Sequence, residues 1–124
     1  KQVNLDHWRR IYTTDYTNQL IHFFAAHILS YTNITTRALC FEFYLRVLQQ
    51  CFEIGNLNTA HCLVGAFGHA SIFRLKKTWA KVNPKYRSYL EEREQIFSYQ
   101  HNYRNYSEYI THWKNKHKQV NANN

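Results

Sequence analysis

Apolar residues recur along this chain at intervals of three and four, and alternation in twos is never sustained. Over residues 5–30, Leu5, Trp8, Ile11, Tyr12, Tyr16, Leu20, Phe23, Phe24 and Ile28 keep the spacing that lines one helix face. "YTNITT" interrupts the pattern, and Thr32 or Asn33 can cap a second helix, predicted over residues 34–54. That helix is apolar on most of its circumference through Leu39, Cys40, Phe43, Val47, Leu48, Cys51 and Phe52. Its polar stripe is Glu42, Arg46, Gln49, Gln50 and Glu53, so a central, mostly buried helix is expected.

Gly55 falls where a left-handed cap belongs, and Asn58 can cap a third helix over residues 59–68. Ser71 can cap a fourth, "IFRLKKTWAKV", and Pro84 suits the first turn of a fifth, "PKYRSYLEEREQIF". A last helix begins near residue 103. The expected class is all-α, an orthogonal bundle of about six helices over residues 1–114, with a frayed polar tail at 115–124.

Helical phase sorts two of these elements. On the fourth, Ile72, Leu75, Trp79 and Val82 form the core stripe, while Phe73 points away beside Lys77 and Ala80. From phase alone a second element is expected over Phe73, with contact to a partner as the other reading. On the third, Leu63 and Phe67 face the core, and His61, Val64, Gly65 and Gly68 share the other side. A glycine inside a helix costs about 1 kcal/mol against alanine, so two on one face imply close helix packing or a shallow groove.

Composition narrows the function. With 124 residues, one domain is expected, and 17% aromatics supply a core. The +8 formal charge favours an acidic partner. The cations are spread over several helices, which argues against nucleic acid. Lys76, Lys77, Lys81, Lys85 and Arg87 leave a weak attraction to anionic surfaces. No apolar run suggests a leader or membrane insertion, and the absence of an initial Met suggests a piece of a longer chain. Cys40, Cys51 and Cys62 lack zinc-site spacing and read as buried thiols in a reducing compartment. His22 and His27 do not share a helix face for a metal, and His61 has no second ligand at helical spacing. Glu91, Glu92 and Glu94, among Arg87 and Arg93, read as a solvated face. No catalytic motif is present, so no covalent chemistry, metal or cofactor is expected. Richness in Asn, Tyr, Lys and Ile matches an AT-rich genome, of an amoeba or of an intracellular bacterium exporting an effector.

"RALCFEFYLRVLQQCFEIGNLNTAHCLVGAFGHASIFRLKKTW" resembles the middle of the catalytic domain of Ras-family guanine-nucleotide exchange factors. The resemblance is carried by Asn56-Leu57-Asn58 and by Arg74-Leu75-Lys76-Lys77-Thr78-Trp79. "NQLIHFFAAHIL" (18–29) and "HNYRNYSEYI" (101–110) are similar to flanking family segments.

The resemblance implies a cytoplasmic, membrane-proximal helical domain that grips switch II of a Ras-family small GTPase (Ras-, Rap- or Ral-like) and promotes GDP release. It places the GTPase-binding surface on Thr14, Asp15, His61, Gly68, Phe73 and Tyr103. Phe73 and Tyr103 match family aromatics. His61 and Gly68 stand where the family usually has an aliphatic residue and an Asn, and Thr14 and Asp15 depart from an aliphatic, often basic pair. The family's helical hairpin, which opens the nucleotide site, comes after the region of Tyr103. The alternative expectation is therefore a protein-interaction module on the same scaffold, lacking the hairpin and binding without exchange.

Overall fold

In a computed structural model of the chain, residues 4, 6–7, 11–98 and 104–122 are described. A π-helical turn at Ile11–Asp15 runs into α1, Tyr16–Ser30, where an uninterrupted α-helix was expected. Asn33 caps α2, Ile34–Ile54, by accepting the Thr36 N–H at 3.1 Å. At its far end Gly55 takes φ 79°, a left-handed conformation that costs a residue without Cβ little. The chain turns at once, so Asn56 rather than Asn58 caps α3, Leu57–Gly68, accepting the Thr59 N–H at 3.3 Å.

The stretch predicted as one fourth helix is two. α4 spans Ala70–Phe73 and α5 spans Lys76–Lys81, with Arg74 and Leu75 between them. Its cap is His69 rather than Ser71: His69 Nδ1 accepts the Ser71 N–H at 3.3 Å. The Trp79 indole N–H donates to the Ile72 carbonyl at 3.2 Å and ties α5 back onto α4. Ile72, Trp79 and Val82 are buried as phase predicts, Leu75 is half-buried, and Thr78, 1% exposed, joins the core unannounced. Thr78 lies three residues after Leu75 and four before Val82, at the edge of the predicted core stripe.

α6, Pro84–Ile96, starts on its proline, and α7, Arg104–Ala122, continues past residue 114, where order was expected to end. Seven α-helices and no strand occur among the described residues, so the all-α expectation holds. The seventh helix arises from the split of the fourth. Two compact units divide the chain, one ending at Asn83 and the other starting at Pro84.

In the first unit α2 is central, as expected, and Cys40, Leu48, Cys51 and Phe52 of its expected apolar set are buried, but two members of that set are exposed. Ala38, Phe41, Tyr44, Leu45, Leu48 and Phe52 are buried, whereas Leu39 and Phe43 are 62% and 52% exposed. One helix buries about one stripe against its neighbours, and the neighbours of α2 select the stripe holding Phe41 and Leu45. Phe41, Phe67 and Trp79 pack mutually with ring centroids 4.8 to 5.7 Å apart. All three thiols are buried, and burial pushes each thiol pKa up, which keeps it protonated. His27 lies 2.5 Å from the Tyr44 hydroxyl, a structural pairing.

In the second unit Leu90 and Ile96 are buried, and Phe97 packs on Tyr106 at 5.9 Å. Arg87–Glu91 at 3.4 Å is an exposed pair, as the solvated-face reading expects, and exposed pairs add little stability. Glu94 is half-buried instead, and burial raises its carboxyl pKa.

Candidate functional site

α3 carries the first two candidates. His61 and Gly68 are seven residues apart, about two turns or roughly 10 Å, and fall within about 20° on the helix. Both are exposed. The face that sequence phase grouped as one is in fact split. Val64 is buried, and a Cβ on Gly65 would stand 2.9 Å from Ile21 Cδ1, so Gly65 allows α1 to approach closely. A Cβ on Gly68 would meet nothing within 4 Å. The two glycines thus have different reasons, packing for Gly65 and open surface at Gly68.

α1 runs parallel to α3. Three pairings give the register: Cys62 with the Thr17 side chain, Gly65 against Ile21, and His69 edge-on to His22 at 5.8 Å. This places Thr14 and Asp15, both exposed in the π-helical turn, at the level of the turn of α3 that carries His61. Asp15 and His22 are themselves seven apart, so they share the flank of α1 nearest α3 and α4.

Phe73 ends α4 and is 65% exposed. The expectation from phase alone, a second element covering it, is not met in this structure. Its N–H donates to the His69 carbonyl at 2.9 Å, and the same residue's side chain caps the helix from which Phe73 projects. An exposed large aromatic next to a fully buried Ile72 is the informative observation here, because apolar residues held out of the core mark contact surfaces.

Thr14, Asp15, His61, Gly68 and Phe73 therefore all belong to the first unit and lie along the α1–α3–α4 seam. Tyr103 lies outside the described residues. His22 and His69 belong to the same seam and were not singled out as site residues. Only the pairing across helices reveals them, since neither carries a sequence signal of its own.

The RasGEF domain family model matches residues 2–121. Ras guanine nucleotide exchange factor D of Dictyostelium discoideum is 31% identical over 99 residues, 80% of this chain and 15% of that protein. Ras-GEF domain-containing family member 1B of Xenopus tropicalis is 33% identical over 90 residues, 73% of this chain and 19% of its own length. Ras-specific guanine nucleotide-releasing factor 2 of Mus musculus is 28% identical over 96 residues, 77% of this chain and 8% of that protein. The chain spans less than a fifth of the length of each of these relatives. With a helical fold and a match that extends over nearly all of the sequence, this chain belongs to the RasGEF domain family.

Proposed function

We propose that this chain docks on switch II of a Ras-family small GTPase through Phe73, with Gly68, His61, Asp15 and Thr14 along the same seam and Tyr103 as a further contact, and that docking promotes GDP release. The observation that carries the reading is Phe73, an aromatic held out of the core at the end of a short helix and 65% exposed, on the helix that follows the open Gly68. The geometry suits a protein partner. An exposed aromatic anchor, with polar His61 and Asp15 farther along the same seam, is how interface hot spots are built.

Exchange on this reading needs no bond made or broken by the protein. A partner shifts an equilibrium only by its difference in affinity between two states. If the chain binds the nucleotide-free GTPase about a hundredfold tighter than the loaded form, nucleotide affinity falls by the same factor, about 2.7 kcal/mol. His61 and Gly68, where the family usually has an aliphatic residue and an Asn, point to a modified rather than a generic partner preference. The loss of an Asn amide removes a hydrogen bond worth roughly 1 kcal/mol unless another group replaces it.

The test uses nucleotide-free Ras, Rap and Ral-type GTPases in binding assays, together with release of a fluorescent nucleotide from the loaded forms. Tight binding with accelerated release is the expected outcome. Binding without acceleration would support the interaction-module reading, and absence of binding to every GTPase would overturn both.

A further inference from the structure

A second feature of the first unit is independent of the GTPase reading. A cleft of about 350 Å³ lies between the first turn of α2 and the α4–α5 junction, large enough for a small ligand. Arg37, Arg74, Lys76, Lys77 and Thr78 line it together with the apolar Ile34 and Leu75, with no carboxylate among its lining residues. Four basic residues thus border one concavity.

The fold produces this grouping. The chain breaks helix at Arg74 and Leu75, which brings Arg74 and Lys76 to the same opening although neighbours on an unbroken helix would diverge. Arg37 forms the opposite wall. Its Nε donates to the Tyr31 carbonyl at 2.9 Å, which holds the guanidinium in place and leaves its terminal N–H groups for another acceptor. The first turn of α2 contributes no acidic residue. Glu42, farther along α2, accepts the Asn83 N–H at 3.0 Å.

Two cations elsewhere in the chain do have carboxylate partners. Arg87 pairs with Glu91 and Arg104 with Glu108, each four residues along a helix. Among the described residues, none of the four cations in the cleft pairs with a carboxylate. Like charges gathered in a concavity repel one another, and a multivalent anion relieves that repulsion while gaining directed hydrogen bonds. A fixed guanidinium presents a planar fork, and lysines add mobile point charges; that combination suits phosphate oxygens better than a single carboxylate.

We propose that this cleft binds a phosphate-bearing anion, the headgroup of a phosphorylated lipid or a soluble polyphosphate. Arg37 supplies the fixed donor, and Arg74, Lys76 and Lys77 close around the anion from the exposed side. Thr78, buried at the base, contributes packing that keeps the α5 wall in place.

The test compares two triple variants of the chain that remove equal charge. One carries Arg74→Gln, Lys76→Gln and Lys77→Gln, all exposed positions, and the other carries Lys114→Gln, Lys116→Gln and Lys118→Gln on α7. Circular dichroism first establishes that both retain the helical content of the parent. Each is titrated with inositol hexakisphosphate, with a single-stranded oligonucleotide of similar charge, and with phosphatidylcholine vesicles carrying either phosphatidylinositol bisphosphate or phosphatidylserine at matched surface charge. The cleft variant should lose about tenfold or more in affinity for the phosphate-bearing probe, and the α7 variant less than about twofold. Binding to the phosphoinositide vesicles alone would identify the lipid as the source. Binding to the soluble polyphosphate alone would identify a free anion. Equal losses in the two variants would overturn the proposal. So would oligonucleotide or phosphatidylserine binding as tight as that of the phosphate-bearing probes, or no binding by the parent chain.

Discussion

Phe67 and Phe73 sit six residues apart and are spent in opposite ways. Phe67 is 1% exposed and locked between Phe41 and Trp79, while Phe73 is 65% exposed on the next short helix. Between them, Gly68 ends α3 and His69 starts α4, so a sharp change of helix direction separates a structural aromatic from one offered to a partner. The same division runs through the two glycines of α3, with Gly65 pressed on Ile21 and Gly68 open. Similar residue types thus serve packing or display according to which neighbour the fold supplies.

The comparison can be broken most forcefully at Phe67. Phe67→Ala should cost about 3–5 kcal/mol of stability, because it leaves a cavity inside the Phe41–Trp79 cluster. Urea denaturation followed by circular dichroism would check this, and a loss under about 1 kcal/mol would contradict the packing described. Phe73→Ala should show the reverse profile. Its stability should change by less than about 0.5 kcal/mol, since the side chain is largely solvated. Binding to a nucleotide-free GTPase should fall by about 2 kcal/mol, near thirtyfold, read by calorimetry.

His69 tests whether the display depends on its cap. His69→Ala should cost about 1 kcal/mol by removing the acceptor for the Ser71 N–H, and His69→Asn should restore most of it. Amide hydrogen exchange at Ser71 to Phe73 measures the effect locally. If Ala and Asn exchange alike, the cap is not what holds α4. The smallest effect belongs to Gly68→Ala, expected to raise stability by about 0.4–1 kcal/mol because the added methyl meets nothing and the unfolded chain loses freedom. A thermal melt that moves downward would show that the open surface at Gly68 is not open in solution.

Much of the fold was legible in the sequence. The bounds of α2 follow from Asn33, a periodic apolar run and Gly55, all local signals. Pro84 likewise marks the start of α6, because a proline at the first helical position loses nothing that the helix would have used. The phase of the fourth helix correctly assigned Ile72, Trp79 and Val82 to the core. The misplaced apolar residues of α2 have a tertiary cause. Leu39 and Phe43 have the right chemistry for burial, but they lie on a side of α2 that no described element covers in the first unit.

For the site, the chain itself specified which residues are unusual: an aromatic out of phase at Phe73, two glycines in one helix, and a basic stretch around it. It could not say that α4 breaks from α5, that Gly65 and Gly68 have different roles, or that His22 meets His69. Nor could it gather Arg37 with Arg74, Lys76 and Lys77, residues nearly forty positions apart. Local propensity and periodicity are properties of a few consecutive residues and survive in the sequence. Which face is covered, and which charges share a cleft, depend on neighbours brought together only when the helices pack.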